Sequence, residues 1–132
     1  MHPPADLDDS VALLEQANQG SATATPLRIQ GANSKAFLGR VTAGEILDTR
    51  SHRGIVRYDP TELVITARCG TPLTELASVL DAAQQMLPCE PPAFGDDATV
   101  GGMIPCGLAA PRRPWSGAGR DFVLGTRVVN GV

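Results

Sequence analysis

The stretch Leu63-Val-Ile-Thr-Ala-Arg-Cys-Gly-Thr-Pro-Leu-Thr-Glu-Leu-Ala-Ser-Val-Leu80 decides the fold class. Its first five residues form a near-continuous apolar run, the pattern of a strand buried on both faces. Gly70 then breaks the run. Thr71 offers a side-chain oxygen as helix N-cap, and Pro72 suits the first helical position, where a missing N–H costs nothing. Leu73, Leu76, Ala77, Leu80 and Ala83 recur at helical spacing and lay an apolar stripe along one face of a helix spanning residues 72–85. A strand feeding directly into a capped helix is the first half of a βαβ unit.

Upstream, Leu7, Val11 and Leu14 repeat at helical spacing behind an acidic start, which predicts a helix from Leu7 to Gln19 stopped by Gly20. Leu27 to Ile29, Ile46 to Leu47 and Ile55 to Tyr58 are short apolar pieces punctuated by glycine and read as strands. Together these predict an α+β fold: a small, mostly parallel sheet with helices, preceded by a flexible leader over residues 1–9. Downstream, residues 88–119 hold six of the eleven prolines and six of the fourteen glycines, yet also Phe94, Val100, Met103, Ile104, Leu108 and Trp115. A linker would be polar, so this stretch reads as an ordered loop wrapped around something. Phe122 to Val129 reads as a strand, and Asn130-Gly131 as a hairpin turn. A strand entering a turn with no returning partner leads to the expectation that residues 1–132 are one partial domain at the front of a longer protein, its second half largely missing.

Composition removes several classes of function. The 132 residues are 42% apolar and 19% charged, with a net charge of −3, so no basic excess exists to neutralise a nucleic-acid backbone. No run of about 18 apolar residues is present and the N-terminus is acidic, so neither a transmembrane segment nor a signal peptide is expected and the chain reads as cytoplasmic. Cys69, Cys89 and Cys106 form no C-x-x-C pair, and with two histidines they support neither a disulfide framework nor a metal centre. They read as small buried thiols. His52, between Arg50 and Arg53, reads as a solvent-facing loop residue.

Two segments are built for close approach of backbone to a ligand. In Ile29-Gln-Gly-Ala-Asn-Ser-Lys35 a strand runs into a small-residue turn whose consecutive N–H groups can form an anion-binding nest. Asn33 and Ser34 add donors, and Lys35 is the only lysine. A phosphate or pyrophosphate suits it, although a plain glycine turn has the same look, and neither a Walker A loop nor a G-x-G-x-x-G fingerprint is present. The second segment, Ala98-Thr-Val-Gly-Gly-Met-Ile-Pro-Cys-Gly107, offers glycine backbone to a flat ligand and a hydroxyl from Thr99, or is a packing turn.

The order IQGANSKAFLG, then YDPTELVITARCGTPLTEL, then QMLPCEPPAFGDDATVGGMIPCGLAAPRRPWSGAGRDFVLGTRVVNG resembles the N-terminal, α/β half of the PCMH-type FAD-binding domain of the vanillyl-alcohol oxidase superfamily. Within it, the chain is similar to the FAD-binding subunits of bacterial glycolate oxidases. The resemblance implies that Gln30, Gly31, Ala32, Asn33, Ser34 and Lys35 wrap the FAD pyrophosphate. It also implies that Gly95, Ala98, Thr99, Gly101, Gly102, Cys106 and Gly107 line the adenosine and ribityl portions. Some relatives carry a flavin-linked histidine where this chain has Asn33, so a non-covalent FAD is implied. The resemblance further implies oxidation of a 2-hydroxy acid, glycolate to glyoxylate, by a complex with a second FAD-binding subunit and an iron-sulfur subunit, held at the inner face of the cell membrane through those partners. It names no catalytic residue and no metal ligand here, and implies that the 132 residues alone are inactive. The contrasting expectation is a non-catalytic half-domain that serves as a subunit-interaction module without binding flavin alone.

Overall fold

A computed structural model describes residues 8–129. The expected flexible leader lies outside the described residues up to residue 7, and its last two positions already belong to the first helix. The expected Asn130-Gly131 turn also lies outside them.

Helix α1 spans Asp8–Ala22 and runs through Gly20 instead of stopping there. Gly20 is buried, and a β-carbon on it would sit 2.8 Å from Leu27 Cδ1. Glycine serves here to let strand β1, Leu27–Gln30, pack under the helix. β1 pairs in parallel with β2, Glu45–Asp48, in the register Leu27 with Glu45 through Gln30 with Asp48. The Gln16 side-chain amide donates to the Ile46 carbonyl at 3.0 Å and ties α1 to β2. Parallel strands cannot be joined by a tight turn. The crossover over residues 31–44 therefore leaves the end of β1 and returns to the start of β2, carrying the small-residue turn with it.

Strands β3, Ile55–Asp59, and β4, Val64–Ala67, form a second ladder, and it is antiparallel. The expectation of a strand buried on both faces over Leu63 to Ala67 is corrected here. Asp59 Oδ1 accepts from the N–H groups of Thr61 and Glu62, both at 3.2 Å, an Asx-type turn that reverses the chain. Leu63 completes the reversal at φ 56° and is 75% exposed, while β4 is only half-buried. The α+β class holds, with one parallel ladder and one antiparallel.

Helix α2 spans Leu73–Ala82 and buries Leu73, Leu76 and Leu80, each contributing about 1.5–3 kcal/mol relative to exposure. Ala77, expected on the same stripe, is exposed. Pro72, not Thr71, is the N-cap, with extended backbone at φ −61°, ψ 142°. Thr71 is fully buried and spends its hydroxyl elsewhere: it accepts from Gly54 N–H at 2.9 Å and donates to Gly54 C=O at 3.1 Å, joining the start of α2 to the start of β3. A tertiary partner has displaced the local cap.

The proline- and glycine-rich stretch contains helix α3, Val100–Cys106, and the short α4, Arg113–Ser116, followed by a 3-10 turn, Gly119–Phe122. The strand expected over Phe122 to Val129 does not form: its first residue closes the 3-10 turn, and the rest pairs with nothing among the described residues. Backbone without a neighbouring edge has no ladder to join. Leu47, the three leucines of α2, Cys89, Ala98 and Ala118 make the core.

Candidate cofactor site

The segment Asp97 to Gly101 is zipped onto the entrance of α2. Leu73 N–H donates to Ala98 C=O at 2.7 Å, Val100 N–H to Thr71 C=O at 2.9 Å, and Gly101 N–H to Cys69 C=O at 2.7 Å. Ala98 and Thr99 are buried, at 1% and 4% exposure. Thr99 caps α3, its hydroxyl accepting from Gly102 N–H at 3.2 Å. The crossover turn meets this platform: a β-carbon on Gly31 would fall 2.5 Å from Thr99 Oγ1. An edge-on contact between Phe37 and Phe94, ring centroids 5.1 Å apart, also joins the crossover to the loop that leads into this platform. The two stretches singled out in the sequence are thus neighbours in space.

They differ in what their backbone offers. The N–H groups of Val100, Gly101 and Gly102 are already donated to protein oxygens. Those of Gly31, Ala32, Asn33, Ser34 and Lys35 donate to no protein acceptor among the described residues; this turn's hydrogen bonds come from the residues after it, Ala36 N–H to Asn33 C=O and Leu38 N–H to Lys35 C=O. Asn33 adopts φ 57°, the left-handed region that asparagine tolerates best among non-glycine residues and that a nest of successive amides requires. Lys35 is half-buried at the end of the turn. Gln30, at its start, gives its carbonyl to Thr49 N–H at 2.9 Å and Thr49 Oγ1 at 3.3 Å, which fixes where the turn begins. The chemistry on offer is five amide donors and an ammonium, a donor set for an anion of the diphosphate kind.

Other expected residues lie further out. Gly95 is exposed at φ 96°, with open space where a β-carbon would go. Cys106 ends α3, and Gly107 caps it at φ 58° and borders a separate cavity of about 250 Å3 shared with Met103, Leu108 and Arg120. Beside Thr99 a smaller cleft of about 130 Å3 is lined by Arg50, Arg53, Gly70, Pro72 and Asp97 as well. Sequence reading took Gly70 only as the break between strand and helix, yet a β-carbon there would strike the Thr49 carbonyl oxygen and come within 2.7 Å of that of His52. The cations at this cleft are matched by acids: Arg50 grips Asp48 at 2.6 Å and Arg53 grips Glu75 at 2.7 Å. The hydrogen bond from the Arg50 side chain holds the Asp48 carboxyl below its ordinary value. His52, expected to face solvent, is half-buried; its backbone bridges Thr49 and Gly70. Of the three thiols only Cys89 is buried, and burial pushes its pKa up. No group of metal-ligating side chains occurs among the described residues.

These features belong to a known class. The sequence profile described as FAD binding domain matches residues 3–132, and the chain belongs to that family, whose cofactor is FAD. It is 66% identical over 126 residues to the glycolate oxidase subunit GlcE of Escherichia coli (strain K12), a match covering 96% of this chain and 36% of that protein. The chain therefore spans about a third of the length of this curated relative. No solved structure matches it. The donor chemistry of the turn is compatible with that cofactor: a diphosphate takes several N–H donors, and the Gly31–Lys35 amides have no protein acceptor among the described residues.

Proposed function

We propose that the chain binds FAD without a covalent link, its diphosphate seated on the amides of Gly31, Ala32, Asn33, Ser34 and Lys35. The observation that carries this reading is that row of five donors with no protein acceptor among the described residues. Gln30 fixes the start of the turn, while Ala98, Thr99, Gly101 and Gly102 form the wall behind it. Gly95 and the end of α3 at Cys106 and Gly107 border the rest of the cofactor. Residues 1–132 act as one unit in this reading. When bound, FAD supplies a two-electron acceptor that side chains lack. This chain's residues hold its phosphates and orient it, and none of them is assigned to proton transfer.

The whole protein is proposed to be the FAD-binding subunit of a glycolate oxidase-type enzyme. It would oxidise the C–H and O–H of a 2-hydroxy acid to a carbonyl and pass the two electrons through FAD to an iron-sulfur partner, beside a second flavoprotein subunit. The likeness to GlcE supports this. The 132 residues alone are proposed to be inactive. No helix among the described residues is long and apolar enough to cross a membrane, and the assembly is proposed to work in the cytoplasm or against the inner membrane face through its partners.

A second reading, a subunit-interaction module that binds no flavin alone, is favoured by the large exposed apolar residues Trp115, Leu124 and Val128, at 85%, 82% and 77%. Mixing the purified protein with FAD, desalting it and recording the visible spectrum separates the two. Retained flavin absorption, weakened in Lys35→Glu, is expected. A colourless protein would favour the interaction module.

A further inference from the structure

Strand β1 carries two polar atoms that the fold leaves unanswered. Arg28 Nε and Gln30 Oε1 are both buried and have no hydrogen-bond partner among the described residues. Buried polar atoms are normally paired, because stripping water from one without replacing it costs free energy. Side chains alternate along a strand, so residues 28 and 30 share a face, opposite Ile46 and Asp48 of β2. Asp48 is the carboxylate on that face of the ladder, and Arg50 already holds it through three contacts of 2.6–3.0 Å. Arg28 makes no ion pair among the described residues. A cationic donor and a neutral acceptor thus stand side by side just before the row of unanswered amides.

The missing partners can be named by chemistry. A guanidinium N–H needs an anionic oxygen, and a carboxamide oxygen needs an O–H or N–H. A phosphate group next to a sugar hydroxyl presents both. Residue 28 lies two steps of 3.3 Å, about 7 Å, before Gln30 at the end of β1, and the first open amide, that of Gly31, is one step further, so an extended arginine side chain leaning along the strand approaches the start of the turn. Lys35 stands at the turn's other end. A diphosphate carries two negative charges, and these two cations would bracket it.

Resting on the FAD reading above, we propose that Arg28 is a second cation for the diphosphate and that Gln30 accepts from an adjacent hydroxyl. The pair then sets selectivity for the dinucleotide FAD over the mononucleotide FMN. Charge-assisted hydrogen bonds are about twice as strong as neutral ones, so the loss is expected to be large.

The test uses the full-length protein with its partner subunits, stripped of flavin and titrated with FAD and with FMN by flavin fluorescence. Arg28→Met should weaken FAD binding about 10- to 100-fold. FMN binding should fall several-fold less, and the apoprotein should melt as before. Arg28→Lys keeps the charge and should recover most of the affinity. Gln30→Leu should cost roughly fivefold. A second measurement needs no variant: Arg28 of the wild type should react with phenylglyoxal in the apoprotein, be protected by FAD, and be far less protected by FMN. Arg28→Met binding FAD within twofold of wild type, or equal protection by both flavins, overturns the proposal and leaves the FAD reading standing. A wild type that binds neither flavin overturns the FAD reading itself.

Discussion

At Gly31 and Gly101 a β-carbon would fall 2.5 Å from Thr99 Oγ1 and 2.8 Å from Cys69 Cβ, whereas at Gly95 and Gly107 it would meet nothing within 4 Å. The first pair are glycines because the chain packs against itself there. The second pair are glycines because the backbone takes φ 96° and φ 58°, which a side chain resists. The glycines of the crossover turn and of the stretch around α3 are therefore of two physically different kinds, one set by close packing and the other by backbone conformation. The donors left open for a ligand are amides, in the crossover turn.

Substitutions ranked by size can break this division. Gly70→Ala, which drives a methyl into two backbone carbonyls, should cost the most, about 3 kcal/mol by thermal or denaturant melting. Gly31→Ala should cost about 2 kcal/mol. Because its clash is with one hydroxyl, Gly31→Ala combined with Thr99→Ala should be less destabilised than the sum of the singles by about 1 kcal/mol. Strict additivity would show that Thr99 is not the obstacle. Gly107→Ala should lose only the strain of a left-handed alanine, about 1 kcal/mol. A Gly107→Ala loss matching that of Gly31→Ala would erase the distinction.

The smallest effect concerns pH. Asp48 is held below its ordinary carboxylate value by Arg50, so its contribution is present above about pH 4 and is lost as acidity passes its folded value. The pair is well exposed, at 60% and 40%, so the difference in melting point between wild type and Asp48→Asn should be slight at neutral pH and vanish in acid and in high salt.

The stripe of α2 was legible because helical spacing is written in one short window, and Leu73, Leu76 and Leu80 are buried as that spacing requires. The crossover turn was legible for a similar reason, since consecutive small residues after a strand describe their own backbone. What could not be read depends on partners distant in sequence. Thr71 is a good cap by local rules, but Gly54 takes its hydroxyl. The run ending at Ala67 carries no sign of whether its neighbour is parallel; the Asp59 side chain decided that by closing the turn. Gly20 looked like a stop because nothing nearby reveals that Leu27 lies against it. The unanswered atoms of Arg28 and Gln30 had no sequence signal at all, because an arginine and a glutamine on a strand are ordinary until their surroundings are known.

The two ladders also differ in how soon they can form. The β3–β4 hairpin joins residues a few positions apart and belongs to the class of structure that assembles in about 1–10 μs. The β1–β2 pair must first close the crossover of residues 31–44, an entropic cost met before any parallel contact is gained. Folding is thus expected to reach the crossover late, and partial unfolding to release it early, so the turn with the open amides belongs to the less secure part of the chain. A ligand held there would slow the opening of that part first.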